Sequence, residues 1–258
     1  AVQPTSATHE AGAWPRAYGL KPEVHRQRRP SRKTIGGMEL YDAMRTAFAA
    51  REFTPDPVTD EVLTRILDNA RFAPSGGNRQ GGHVIVVREQ STKDALSELA
   101  RPAAQRYAAQ TAAGENPWNT FVPSQVTAET IAATAISPGL TEPVRRAPVV
   151  LVVCVDLRVV ASIDQHLPRV GIASGASIYP LAWNILLAAR NEGLGGVLTT
   201  MPIAEEARVK ALLHLPDYMA VCAVMPIGKP VKQLRKLKRR PVSAFAHRER
   251  WDGEAFGG

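Results

Sequence analysis

The chain has 258 residues, 45% of them hydrophobic and 22% charged, and carries a net charge of +8. That is the composition of a globular protein, long enough for one large domain or two small ones and for a core that needs no disulfides. No apolar run approaches the roughly 18 residues of a membrane helix, no secretory h-region opens the sequence, and Cys154 and Cys222 form neither a CxxC pair nor a zinc set, so a reducing cytoplasmic setting is expected.

Residues 1–37 hold seven Lys/Arg against two Glu, with Pro4, Pro15, Pro22 and Pro30 and no apolar periodicity, and read as an extended basic arm. Met38, Tyr41, Met44 and Phe48 predict a helix over Met38–Ala50, stopped by the Pro55–Pro57 segment. Thr59 is the expected N-cap of a second helix, whose apolar face is Val62, Leu63, Ile66, Leu67 and Ala70 and which ends before Pro74. A glycine-rich loop, Pro74–Gly82, leads into a strand at Val84–Val87. Ser91 and Asp94 are spaced as a variant capping box for a helix running toward Ala113, with Pro102 in its path. Residues 114–144 are rich in Pro, Thr and Ser without a clear period and are expected to be a lid or insertion. Further strands are expected at Val149–Val155, Val197–Met201 and Met219–Met225, and further helices at Ile172–Arg190, apolar on nearly every face, and Ala204–Leu213. Nine Lys/Arg against one Glu over 229–250 make the C-terminal arm, 229–258, basic as well. Basic ends around an acidic body suit a polyanion partner such as nucleic acid, a solvated arm, or a site for a phosphorylated ligand.

The phosphate-loop, dinucleotide, HExxH and GxSxG motifs are absent, and the six histidines are not spaced as metal ligands. What remains are three segments suited to one planar anionic ligand. They are Arg45 and Arg51 near the first helix, the loop Pro74-Ser75-Gly76-Gly77-Asn78, whose glycines admit a ligand close to the backbone, and Gly195–Thr200. Lys238, Arg239 and Arg240 add charge for a phosphate.

With Ala43-Met44-Arg45-Thr46, Arg51-Glu52-Phe53, Phe72–Gln80, Ser177–Pro180, Asn184–Arg190 and Gly193-Leu194-Gly195 in this order, the chain resembles the FMN-dependent nitroreductases over roughly residues 38–250, most of 114–144 excepted. The resemblance implies an α+β fold with a central mixed or antiparallel sheet wrapped by helices, one FMN-binding domain over 38–258, and an intertwined homodimer with FMN at the subunit interface. It implies an NADPH- or NADH-dependent oxidoreductase that passes hydride through flavin N5 to nitroaromatic or quinone acceptors in a ping-pong cycle. No catalytic side chain, metal, nucleic acid or membrane is then required. Reductive dehalogenation or flavin fragmentation on the same fold is the alternative within the cofactor class, and a basic nucleic-acid-binding protein the alternative outside it.

Carried over by position, Arg51 would stand at the flavin pyrimidine edge. Pro74, Ser75, Gly76 and Asn78 would reach the flavin from the other subunit, Leu198, Thr199 and Thr200 would line its ring, and Arg239 and Arg240 would meet its phosphate. Trp118 and Phe121 would belong to a substrate lid. The chain departs from the family pattern at Ala47 and Ala49, where Arg and Ser usually contact the phosphate and ribityl chain, and at Gly81-Gly82, where Pro-Trp is common. Arg45 or the C-terminal arm would have to compensate for the first departure.

Overall fold

The computed structural model describes residues 37–257, so the N-terminal arm lies outside the described residues except for Gly37. The architecture is built on β2 (Val149–Asp156), in which every residue is buried. Its side chains alternate, as the two-residue period of a strand requires. Val149, Leu151, Val153 and Val155 enter one core layer, and Val150, Val152 and Cys154 enter another. A strand buried on both faces reads as an unbroken apolar run, which is why it was legible.

β2 pairs antiparallel with β1 (Gly82–Val87) on one side and β4 (Met219–Gly228) on the other. The two-residue β3 (Gly195–Gly196) pairs antiparallel with β4, giving the order β1-β2-β4-β3. Helices cover both faces. α2 (Asp60–Ala70) and α7 (Tyr179–Asn191) pack on the Leu151 face through Leu63, Ile66, Ala182 and Ile185. α3 (Gln90–Leu99), α6 (Glu142–Arg146) and α8 (Glu206–Leu212) pack on the Val152 face through Leu96, Leu99, Val144 and Val209. α4 (Arg101–Ala112) and the short α5 (Ala128–Ala133) lie together outside that layer. Among the described residues no helix is long and apolar enough to cross a membrane.

Several boundaries differ from the expectations, each for a local reason. α1 spans only Leu40–Thr46. After it the chain extends so that Ala49 bridges Gly196, and the Ala50 N–H donates to the Gly196 carbonyl at 3.0 Å. This pairing takes residues 47–50 out of the helix, and the Tyr41/Met44 stripe faces outward. Thr59 caps α2 as expected, its hydroxyl accepting from the Val62 N–H at 3.4 Å. The Ser91 capping box is not formed: α3 starts at Gln90, which places Ser91 inside the first turn, and Asp94 instead accepts from the Gln90 side-chain amide at 2.8 Å. Pro102 opens a separate helix, α4, at a position where its missing N–H costs nothing. The 114–144 segment contains α5, a single turn at Pro138–Leu140 and the start of α6.

The long helix expected at Ile172–Arg190 is divided, with a tight turn over Ala173–Ser177 before α7, and Pro180 stands in the first turn of α7. α7 is not buried all round: Ala182, Ile185 and Ala189 form its buried stripe while Trp183 is exposed. The strand expected over Val197–Met201 is interrupted. Thr199 exchanges both backbone bonds with Val224, at 2.9 and 3.0 Å, in register with β3, but Val197 and Leu198 stand outside the regular ladder and Pro202 turns the chain into a tight helical turn. The helix expected at Ala204–Leu213 becomes that turn, Met201–Glu205, followed by α8.

Candidate active site

The extended segment after α1, the glycine strand β3, one face of α7 and the first part of the C-terminal arm enclose a cleft of about 410 Å³. That lies within the usual range for small-molecule sites. Its floor is Gly195-Gly196-Val197-Leu198. Glycine is required there by close packing: a Cβ on Gly196 would lie 2.4 Å from Ile227 Cδ1 and 2.6 Å from the Pro226 carbonyl oxygen, and one on Gly195 would lie 2.8 Å from Pro230 Cγ. Ala47, Phe48 and Ala49 line it from the extended segment, and α7 lines it with Trp183, Leu186 and Arg190. The last three recur at intervals of three and four along α7, hence on one helix face. Gln233 and Arg239 line it from the C-terminal arm.

Three guanidinium groups, of Arg51, Arg190 and Arg239, line this cleft, and no carboxylate does among the described residues. Arg190 is anchored by Nε, which donates to the Thr46 hydroxyl at 3.0 Å. Gln233 donates its side-chain amide to the Thr46 carbonyl at 3.0 Å. Arg51 donates weakly to the Ala49 carbonyl at 3.4 Å. A smaller hollow of about 170 Å³ adjoins the cleft, sharing Arg51, Val197 and Leu198. It is lined further by Thr199, Thr200 and Met201, by Tyr107 of α4, and by Leu140 and Pro143. A flat apolar floor with cations at its rim suits a planar ring carrying an anionic tail.

Of the residues singled out from sequence, Arg51, Leu198, Thr199, Thr200 and Arg239 are brought together in these two hollows. Arg240 is exposed and lines neither hollow. Arg45 points its guanidinium over the Tyr41 ring, 5.7 Å from the centroid, outside the cleft. The loop Pro74–Asn78 is elsewhere on this chain, where Pro74 and Ser75 border a third depression with Ser177 and Leu181. It is shaped by left-handed backbone at Gly77, Asn78 and Gln80 and held by the Gly76 N–H donating to the Ser177 hydroxyl at 2.9 Å. Trp118 lies under the Arg106 guanidinium and its backbone N–H donates to the Gln110 side-chain oxygen at 3.1 Å, while Phe121 is 93% exposed. The 114–144 segment meets the smaller hollow through Gly139–Val144 instead.

Trp183, Arg190 and Gln233 are lining residues that sequence reasoning gave no role. The available signal was Arg190 standing on the same apolar helix face as Trp183 and Leu186. Burial pushes the Cys154 thiol up to about 11 and the Cys222 thiol to about 12, so neither serves as a nucleophile. Among the described residues no cluster of His, Cys, Asp and Glu is arranged for a metal.

Comparison with known proteins gives a match to the family model described as the nitroreductase family over residues 44–229. An NADH dehydrogenase from Thermus thermophilus is 32% identical over 74% of this chain and 87% of its own. An FMN reductase [NAD(P)H] from Bacillus subtilis is 26% identical over 82% of this chain and 74% of its own. The solved structure of an NADPH:FMN oxidoreductase from Vibrio harveyi, complexed with NAD+, superimposes with a TM-score of 0.58 at 22% identity, covering 82% of this chain and 77% of that one.

Proposed function

The chain belongs to the nitroreductase family, and on that premise we propose that it is an NAD(P)H-dependent FMN oxidoreductase whose cofactor lies in the cleft between β3 and α7, with nitroaromatic or quinone compounds as acceptors in a ping-pong cycle. The observation that carries the reading is a tightly packed glycine floor and three guanidinium groups lining one cleft without a carboxylate. Bound FMN would supply the redox chemistry, accepting hydride from a nicotinamide and returning it to the acceptor.

The chain's own contribution is placement and electrostatics. Arg51 lines both the cleft and the adjoining hollow, so it stands between the cofactor space and the space left for a nicotinamide or acceptor. A fixed cation there favours the negative charge that develops on the ring on reduction. Leu198 borders both the ring and the acceptor space, Thr199 and Thr200 line the acceptor side, and Tyr107 and Leu140 narrow it. Arg239 supplies charge from the C-terminal arm.

The loop Pro74–Asn78 does not reach this cleft within one chain, which supports a site completed by a second copy. The outward Leu40, Tyr41, Met44, Phe72, Tyr179 and Trp183 side chains supply apolar surface for such a homodimer. The test is to denature the purified protein, identify any released flavin by mass, and titrate the apoprotein with FMN and FAD. FMN at one per chain supports the reading; FAD, or no flavin under saturating conditions, refutes it. Product analysis with nitroaromatic, quinone and halogenated substrates then separates nitro or quinone reduction from reductive dehalogenation.

A further inference from the structure

The cleft leaves open how the anionic end of its ligand is held, because Ala47 and Ala49 offer no side-chain donors there. Arg190, in the last turn of α7, lines the same cleft. Its Nε is fixed by the Thr46 hydroxyl, which itself donates to the Asp42 carbonyl at 2.6 Å. Both terminal nitrogens of Arg190 are without hydrogen bond or ion pair among the described residues. Arg71, at the end of α2, is by contrast matched to a carboxylate, Asp68, at 2.8 Å, and Arg65, in the middle of α2, to Glu192 at 2.7 Å. A guanidinium keeps its charge at any physiological pH, and its fork geometry suits a phosphate held by two parallel bonds. A hydroxyl brace, unlike a carboxylate, orients the group and leaves the charge uncompensated.

The two hollows also separate the roles of the cations. Arg51 borders both, whereas Arg190, Gln233 and Arg239 border only the larger, as Ala47 and Ala49 do. Thr46 joins this group, since its hydroxyl holds Arg190 and its carbonyl holds Gln233. We infer that Arg190, positioned by Thr46, binds the phosphate of the flavin and gives the cleft its preference for phosphorylated over unphosphorylated flavin, taking the place of the donors absent at positions 47 and 49. This rests on the FMN reading above. The competing role for Arg190 is structural, a cation complementing the negative end of the α7 dipole, and it predicts no discrimination between flavins.

The experiment titrates apoprotein with FMN and with riboflavin, which lacks the phosphate, in the wild type and in Arg190→Gln, Arg190→Lys and Thr46→Val. The wild type should bind FMN more tightly than riboflavin. Arg190→Gln should lose about 10- to 100-fold in FMN affinity, the range expected for a charged hydrogen-bonding group, with riboflavin affinity unchanged. The unchanged riboflavin affinity also reports an intact fold. Arg190→Lys should recover part of the loss, keeping the charge without the fork, and Thr46→Val should show a smaller loss in the same direction. If FMN and riboflavin affinities fall together, or the preference for FMN survives in both Arg190 variants, the assignment is overturned while the FMN reading stands. If the wild type binds neither flavin, both are overturned.

Discussion

Replacing Gly196 with alanine puts a methyl group where the structure has no room for one. The added carbon would stand 2.4 Å from Ile227 Cδ1, 2.6 Å from the Pro226 carbonyl oxygen and 3.3 Å from Leu186 Cδ2. Comfortable carbon contacts begin near 3.5 Å, so β3 or β4 must shift by on the order of 1 Å. Ile227 is fully buried and the Pro226 oxygen is backbone of the central strand β4, which leaves β3 as the part that moves. β3 carries the Ala50 backbone bond and the Ala49 bridge with it, and both belong to the segment that walls the cleft. Overpacking of this kind costs about 1–3 kcal/mol, which in a protein of this size lowers Tm by about 2–4 °C per kcal/mol. Gly193→Ala is the control: its φ of +77° strains any side chain, but nothing lies within 4 Å of the new carbon. It should cost about 1–2 kcal/mol and leave the cleft unchanged. Urea melts of the apoproteins together with FMN titrations make the comparison. Gly196→Ala should lose both stability and FMN affinity, and Gly193→Ala stability alone. A Gly196→Ala protein as stable as the wild type with undiminished FMN affinity would refute the packing argument.

Three further outcomes are expected. Arg239 lines the cleft and Arg240 does not, so Arg239→Ala should weaken FMN binding about 5- to 30-fold, solvent screening reducing the effect of a charged bond, while Arg240→Ala stays within about twofold of the wild type on the same scale; equal effects in titration would remove the distinction. Arg51→Ala should slow flavin reduction by NADPH, measured by stopped flow, more than it weakens FMN binding, because the charge it balances develops on reduction; an unchanged reduction rate would take Arg51 out of the site. Asp164 accepts from the Ile172 N–H at 2.8 Å and the Arg169 guanidinium at 2.7 Å, which hold its carboxyl near 2, below the ordinary 3.8. A depressed folded-state value means its stabilisation is complete above about pH 4 and disappears as pH falls toward 2; Asp164→Asn should flatten that limb of the stability profile, and an identical acid limb in urea melts would exclude the contribution.

The parts of the fold legible in the sequence are those with one dominant local signal. β2 announced itself as an apolar run buried on both faces, and α2 by its Thr59 cap and its Leu63/Ile66/Ala70 stripe. α1 was over-extended because Phe48 completes the helical period, whereas the competing pairing of Ala49 with Gly196 spans nearly 150 residues of sequence and leaves no local trace. The strand beyond Gly196 was half legible: Thr199 keeps the register, but the intervening Val197 and Leu198 line the cleft. In the site, Arg51, Leu198 and Arg239 stand in segments whose residue types already suit an anionic planar ligand, and the resemblance to a family gives each its role. Arg190 is harder to read as a site residue, because an arginine at a helix end has an ordinary electrostatic role and its Thr46 brace crosses 144 residues. The glycines at 195 and 196 could be read as an opening, but only packing against Ile227, Pro226 and Pro230 shows why no side chain fits there.

The most direct test of the central claim is anaerobic mixing of the FMN-loaded protein with NADPH and, separately, NADH, followed by addition of a quinone or nitroaromatic acceptor. The account predicts loss of the oxidised-flavin absorbance with at least one nicotinamide, at a rate that saturates with its concentration, and recovery of that absorbance when the acceptor is added after the nicotinamide has been removed. Flavin that stays oxidised in the presence of both nicotinamides, or that shows no recovery with any acceptor tested, would contradict it.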